Sequence, residues 1–233
     1  NMLVADAGIR GAVVCTSELD EVRVNEDNTV SAEAGALLSR IARRAQRSGL
    51  TGAEFAGGIP GSLGGAVYMN AGAYDGTMAG IVQETEFVDG EGNICTLKGD
   101  EHGFDYRTSV FRKHPDWTVP RSTMQLQNGD SAAILDKMND FAQRRRDKQP
   151  LNFPSAGSTF KRPVGHFAGQ LIEQAGLKGT SVGAAQVSEK HAGFLINRGG
   201  ATCDDMLRLI ELVQNRVREQ FGVELECEVR IVK

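Results

Sequence analysis

The sequence predicts an α+β fold, on three observations. Short runs of β-branched and apolar residues in the first half are punctuated by Gly, Asp and Asn, the pattern of strands joined by tight turns. Amphipathic helical patterns stand apart from those strands instead of alternating with them. The chain then closes on a strictly alternating segment, the mark of a half-buried strand. No GxGxxG opens a βαβ unit ahead of an acidic residue, and no GxxxxGKS/T occurs, so neither a Rossmann site nor a P-loop is expected.

Taken in order, Ala12 to Cys15, Leu19 to Val24 and Asn28 to Ala32 read as strands. A helix follows, with Leu37, Leu38, Ile41, Ala42 and Ala45 on one face and Arg40, Arg43, Arg44 and Arg47 on the other; Gly49 is placed to end it. Ile81 to Asp89 and Asn93 to Leu97 form a hairpin closed by Gly90-Glu91-Gly92. A helix from Ser131 to Arg146 turns Leu135, Met138 and Phe141 inward, and the run Arg144-Arg145-Arg146-Asp147-Lys148 suits its C-terminal end, where cations meet the helix dipole. Two prolines in Gln149-Pro150-Leu151-Asn152-Phe153-Pro154 break the pattern and set a domain boundary, giving domains 1–148 and 149–233. Beyond it lie a short helix (Phe167, Leu171, Ile172, Ala175, then Gly176) and a longer one from Cys203 to Gln220. Thr202 and Asp205 form a capping box at the start of the longer one. In the final strand, Val223 to Val232, Val223, Leu225, Cys227, Val229 and Ile231 face one way and Glu224, Glu226, Glu228 and Arg230 the other.

Composition narrows the function. A length of 233 residues with 40% hydrophobic and 24% charged residues is that of a globular protein with a sizeable core. The net charge of -4 argues against a general nucleic-acid binder. No apolar run approaches the roughly 20 residues that span a bilayer. Cys15, Cys95, Cys203 and Cys227 are far apart, and His102, His114, His166 and His191 equally so, so no metal site is expected; free thiols point to a reducing cytoplasm.

The segment Gly57-Gly58-Ile59-Pro60-Gly61-Ser62-Leu63-Gly64-Gly65-Ala66-Val67-Tyr68-Met69-Asn70-Ala71-Gly72-Ala73-Tyr74 is the densest in glycine. Glycine costs stability in regular structure, so the density needs a reason. Either backbone N–H groups hold a large flat or phosphorylated ligand, or the segment is a string of tight turns.

This segment, with Tyr106-Arg107-Thr108-Ser109, Ala156-Gly157-Ser158-Thr159-Phe160-Lys161 and Glu228-Val229-Arg230, resembles the UDP-N-acetylenolpyruvoylglucosamine reductases. The resemblance covers essentially the whole chain, and the span from Ser158 to Asn197 is similar to the family's shorter subclass. It implies the second lobe of a two-lobed FAD-binding domain followed by a small α+β substrate-binding domain. Asn1 corresponds to the last residue of the family's Gly-x-Gly-Ser-Asn pyrophosphate loop, so the chain is expected to be a fragment that starts within the flavin domain. The implied chemistry is a hydride relay from NADPH through non-covalent FAD to UDP-N-acetylglucosamine enolpyruvate, in a cytoplasmic monomer.

The resemblance further implies Arg107 as the guanidinium facing the substrate carboxylate, Ser158 as proton donor and Glu228 as the assisting glutamate; periodicity alone does not separate Glu228 from Glu224 or Glu226. Flavin contacts are expected from Asn1, Gly57, Gly58, Ile59, Pro60, Gly61, Ser62, Gly64, Gly65, Asn70, Ala71, Gly72 and Ala73. Substrate contacts are expected from Tyr106, Lys161 and Arg162, the latter two toward the UDP pyrophosphate. Tyr74 and Tyr106 suit either the flavin ring or the core, and Gln170, Glu173 and Asn197 suit a helix surface or turn better than a ligand. Two other readings stand beside the reductase: another FAD-linked oxidoreductase with the same flavin-domain architecture, and a truncated, non-catalytic UDP-sugar-binding module. The former would carry a covalent-attachment His or Cys, and none lies between Gly49 and Gly80.

Overall fold

The computed structural model describes residues 1–232. Two compact units share the chain: one is Val14–Arg145, the other Asn1–Val13 together with the residues from Arg146 onward. The first unit is built on a five-stranded antiparallel sheet ordered Val22–Val24, Thr29–Glu33, Thr118–Gln125, Val82–Val88, Ile94–Lys98. Its core joins Val30, Ala32, Phe87 and Met124 from the sheet to Leu38, Ile41, Ala42 and Ala45 of helix α1 (Leu38–Arg47) and to Leu63 and Val67 of α2 (Leu63–Met69). Phe87 stacks on Trp117 and meets Phe111 edge-on. In the turn after the edge strand, Gly99–His102, buried His102 contacts the Gly99 carbonyl (2.8 Å) and the Thr85 hydroxyl (2.9 Å), which in turn meets Ser122 (2.9 Å). The buried side chains of His102, Thr85 and Ser122 thus each have a partner, as a low-dielectric core requires.

The second unit holds a four-stranded antiparallel sheet ordered Ser155–Ser158, Phe194–Asn197, Ala185–Val187, Ser181–Val182. Helices α4 (Ala168–Gln174) and α5 (Cys203–Phe221) pack on it through Leu171, Ile172, Leu209, Val213 and Val217. A short parallel pair, Met2–Val4 with Arg230–Val232, adjoins them. The capping box at α5 is present, Asp205 N–H donating to Thr202 Oγ1 (3.0 Å) and Thr202 N–H to Asp205 Oδ2 (3.1 Å). Asp6 adds a long-range cap by accepting from Cys203 N–H (2.7 Å) and Asp204 N–H (3.1 Å). Together they satisfy most of the first-turn donors that a helix leaves unpaired.

Several expectations are corrected. Residues 12–15 are irregular and make no strand pair; Val13 and Val14 are 70% and 83% exposed. β-Branched residues form a strand only where a neighbouring chain completes the ladder. Leu19 is exposed, and its strand begins only at Val22. Leu37 sits in extended backbone ahead of α1, outside the helical phase, and is exposed. In α3 (Ser131–Lys148), Ile134 is the buried residue and Leu135 is 44% exposed, because the inward row runs Ile134, Met138, Phe141. Phe167 likewise precedes α4 and is exposed. At the C-terminus only Arg230–Val232 is a strand, joined to a single bridge at Cys227, although Leu225 and Val229 are buried and Glu224 and Glu226 exposed as alternation demands. Ile231 breaks that alternation and is exposed.

Candidate functional site

The glycine-dense segment is a 3-10 turn (Glu54–Gly58), helix α2 and a small hairpin pairing Gly72–Ala73 with Gly76–Thr77. Tyr74 and Asp75 hold positive φ (51° and 65°), as a two-residue hairpin loop needs. Its glycines fall into two groups. A Cβ on Gly64 would come within 3.0 Å of Ala34, and one on Gly72 within 2.7 Å of the Gly76 carbonyl, so both are explained by internal packing. Gly61, at φ 150°, and Gly65 would meet nothing within 4 Å and lie exposed. They leave bare backbone open to a ligand, and Gly57 and Gly58 would contact only the side chains of Met138, Ala42 and Arg145.

Other positions in the segment make internal contacts. Asn70, buried at φ 44°, donates from Nδ2 to the Asp105 carbonyl (3.0 Å) and accepts at Oδ1 from Ala79 N–H (2.9 Å). Ala71 N–H donates to the Ala66 carbonyl (2.8 Å), and the Ala71 carbonyl accepts from Met78 N–H (2.9 Å). Tyr74 stacks on Phe141 at 4.3 Å and donates its hydroxyl to the Phe141 carbonyl (3.0 Å), so it packs against α3.

Glu54 was not singled out by any motif. It is buried, accepts from the Thr51 hydroxyl and from Gly52 N–H (2.8 Å), and lies 3.7 Å from Lys137 Nζ. Burial alone would raise its pKa, but the Thr51 hydroxyl, the backbone N–H groups of Glu54 and Gly52 and the Lys137 charge outweigh it and hold the carboxyl below 4.5. A depressed carboxyl pKa means stability present above the unfolded value and lost as pH falls through the folded one. Glu54→Gln is therefore expected to lower unfolding free energy by about 1–3 kcal/mol at pH 7. It should also reduce the loss of stability below pH 4.5, as measured by urea unfolding at several pH values. An unchanged acid transition would remove Glu54 as its source.

Arg107 occupies a tight turn. Asp105 and Thr108 bond reciprocally (3.2 Å each way), and Tyr106 N–H is held by Asp105 Oδ1 (2.7 Å). Arg107 itself has φ 54°, a conformation that favours Gly or Asn. Its guanidinium donates from Nη2 to the Gly72 carbonyl (3.3 Å) and lies 5.1 Å from the Tyr106 ring centre. The turn thus brings Arg107 to the 70–72 stretch of the glycine segment, within one unit.

The second unit gathers Ser158, Glu228, Lys161, Arg162 and Asn1. Between Ser155↔Ile196 and Ser158↔Phe194 the register slips by one residue, a β-bulge containing Gly157 at φ 79°. Bulges re-aim the side chain that follows, which here is Ser158. A Cβ on Gly157 would stand 3.2 Å from Asn1 Nδ2, and Asn1 accepts from Arg230 N–H (2.8 Å). Thr159, which sequence reasoning passed over, ties the site together. Its carbonyl accepts from Glu228 N–H (2.9 Å), its hydroxyl from Leu195 N–H (3.3 Å), and its own N–H reaches the Gly193 carbonyl (2.9 Å). Nothing in a lone threonine just past a strand end signals this. Lys161 pairs with Glu226 through both backbone (2.8 Å) and side chain, and the Arg162 guanidinium lies 3.9 Å from the Phe167 ring centre.

Comparison with known proteins adds the following. Residues 149–232 match the UDP-N-acetylenolpyruvoylglucosamine reductase C-terminal domain, and residues 1–98 match an FAD binding domain. A UDP-N-acetylenolpyruvoylglucosamine reductase of Clostridium novyi (strain NT) is 53% identical over 232 residues, spanning 100% of this chain and 75% of its own length. One from Caldanaerobacter subterraneus subsp. tengcongensis is also 53% identical, with 76% of its length covered. The crystal structure of the Thermus caldophilus UDP-N-acetylenolpyruvylglucosamine reductase superposes with a TM-score of 0.80 at 34% identity, over 93% of this chain and 76% of that one.

Proposed function

This chain belongs to the UDP-N-acetylenolpyruvoylglucosamine reductase family, and on that premise we propose how its residues reduce UDP-N-acetylglucosamine enolpyruvate to UDP-N-acetylmuramate for peptidoglycan synthesis. FAD carries hydride from NADPH; we assign flavin binding to residues 1–148, supported by the FAD binding domain match over 1–98, and substrate binding to 149–233, supported by the match over 149–232. The observation that carries the flavin assignment is the bare backbone at Gly61 and Gly65, beside Gly57 and Gly58, which admits a flat ligand close to the main chain. Ile59, Pro60, Ser62 and Ala73 complete that surface, and Asn1 serves the pyrophosphate. The internal bonds of Asn70 and Ala71 and the packing of Gly64 and Gly72 give those four a supporting role.

When bound, the flavin supplies hydride to the terminal vinyl carbon of the enolpyruvyl ether. The substrate carboxylate then carries the charge of an enediolate. Arg107 stays cationic at any working pH and presents a fork that binds both oxygens, so it stabilises that charge where it develops. Ser158 delivers the proton to the neighbouring carbon. A serine hydroxyl is a weak acid, so the donor works because the enediolate is strongly basic and the bulge holds the hydroxyl in place. Glu228, held opposite Thr159 by its own N–H, assists that transfer. Tyr106 flanks Arg107, while Lys161 and Arg162 take the UDP pyrophosphate; Lys161 exchanges Glu226 for phosphate as the substrate enters. The enzyme acts as a cytoplasmic monomer. Among the described residues no helix is long and apolar enough to cross a membrane.

The direct test is NADPH oxidation by the FAD-supplemented protein, which is expected to require the enolpyruvyl substrate for sustained turnover. Oxidation indifferent to that substrate would refute the reading. Glu228→Gln is expected to slow the substrate half-reaction by about 10²-fold, the lower range for general acid–base groups, while Glu226→Gln leaves it intact. Equal losses in stopped-flow traces would reject the choice of Glu228.

A further inference from the structure

We propose that Ser109 is a positioning residue for Arg107, tying the turn that carries the guanidinium to the end of helix α2. This rests on the reading of Arg107 as the group that meets the substrate carboxylate. Ser109 heads a short 3-10 turn, Val110–Arg112, in extended backbone (φ -147°, ψ 176°). A serine in that place ordinarily turns its hydroxyl back to cap the N–H groups that follow. This one does not. Its Oγ donates instead to the Tyr68 carbonyl (2.8 Å), 41 residues earlier in the chain, and no side-chain cap forms. Ser109 is 1% exposed, so the bond is shielded from water and stronger than one at the surface.

Two further bonds join the same stretches. Asn70 Nδ2 donates to the Asp105 carbonyl (3.0 Å), and Arg107 Nη2 to the Gly72 carbonyl (3.3 Å). The 105–109 segment is therefore held at its first residue by Asn70, at its last by Ser109 and in its middle by the arginine itself. Beyond Ser109 the chain is anchored by Phe111, which is 1% exposed and set edge-on to Phe87 and Trp117. The local backbone does little to hold Arg107 in place, because a φ of 54° disfavours a β-carbon. Such a conformation persists only where surrounding contacts over-determine it. Tyr68 lies in the last turn of α2, and Gly65, whose bare backbone is assigned to the flavin, belongs to the same helix. The Ser109 hydroxyl thus fixes the guanidinium relative to the helix that presents the flavin surface. Hydride transfer needs the vinyl carbon and the carboxylate placed together, and an error of about 1 Å costs on the order of 10²-fold. Ser109 is itself buried, so it acts through Arg107 and not on the substrate.

The test compares Ser109→Ala, Arg107→Ala and the double variant of the FAD-supplemented protein in stopped-flow half-reactions, together with a crystal structure of Ser109→Ala. Flavin reduction by NADPH is expected to stay within about twofold of normal in all three. Reoxidation of the reduced flavin by saturating enolpyruvyl substrate is expected to slow about tenfold or more in Ser109→Ala, with the KM for that substrate within about threefold. In the Arg107→Ala background the same substitution should add less than about twofold, since the group it positions is gone. A serine that only stabilises the fold would slow both half-reactions, and equally in either background. That outcome overturns the proposal, as does a normal rate in Ser109→Ala where Arg107→Ala is slow. The crystal structure separates the proposal from the reading beneath it. Arg107 displaced in Ser109→Ala while Arg107→Ala keeps its turnover supports the tie and counts against Arg107 as the carboxylate partner alone. Arg107 undisplaced overturns the tie whatever the rates.

Discussion

Arg107→Ala is expected to lower turnover by about 10²–10³-fold, the cost of removing a preorganised group from a developing anion, while flavin retention stays unchanged. The turn geometry allows a sharper version. Because Arg107 holds φ 54°, its conformation carries a strain of about 1–3 kcal/mol that a glycine would not. Arg107→Gly is therefore expected to unfold at the same or a higher urea concentration than the unmodified protein and still lose turnover to the same extent as the alanine variant. A surface arginine with a merely structural role predicts the opposite pairing: intact turnover, with stability the property that changes. Measuring both on the same preparations separates the two. Turnover preserved in the glycine variant removes the guanidinium from the mechanism.

Ser158→Ala is expected to leave flavin reduction by NADPH at its normal rate and to slow product formation by about 10²–10⁴-fold, the range for a positioned general acid. The split between half-reactions is the informative part, because a misfolded second unit would also impair substrate binding. The bulge at Gly157 supplies a check. Its φ of 79° suits glycine, and an added Cβ would crowd Asn1 Nδ2, so Gly157→Ala moves Ser158 without removing its hydroxyl. A loss in the same half-reaction from both variants shows that the aim of the hydroxyl matters as well as its presence. Equal loss in both half-reactions from Ser158→Ala would refute its assignment as donor.

Elements with a local cause were legible in the residues. Helix α5 is announced by Thr202 and Asp205 and closed by Gly222 in left-handed conformation, all within one segment. The hairpin at 82–98 is announced by its Gly-Glu-Gly turn. Elements that depend on a distant partner were not. Thr118–Gln125 lies at the centre of the five-stranded sheet, yet its neighbours, Thr29–Glu33 and Val82–Val88, are remote in sequence, and its alternation is interrupted by Pro120 and Arg121. Residues 12–15 show the converse, carrying a strand-like composition without a ladder to join.

The catalytic candidates divide along the same line. Arg107, Ser158 and Glu228 were nominated by the family resemblance alone, which local strings suffice to carry; residue type and periodicity left Arg107 as a surface arginine, Ser158 as a turn residue and Glu228 level with Glu224 and Glu226. Which glycines face a ligand and which merely let two backbones touch depends on atoms far away in the chain: Ala34 at Gly64, Phe55 at Gly76. The reach of Thr159 to Glu228 and Leu195, and of Asp6 to the start of α5, likewise arises only when distant segments meet. Short-range dihedral preferences and side-chain periodicity are written residue by residue, whereas hydrogen-bond partners and excluded volume exist only once the folded chain has brought its parts within a few ångströms of one another.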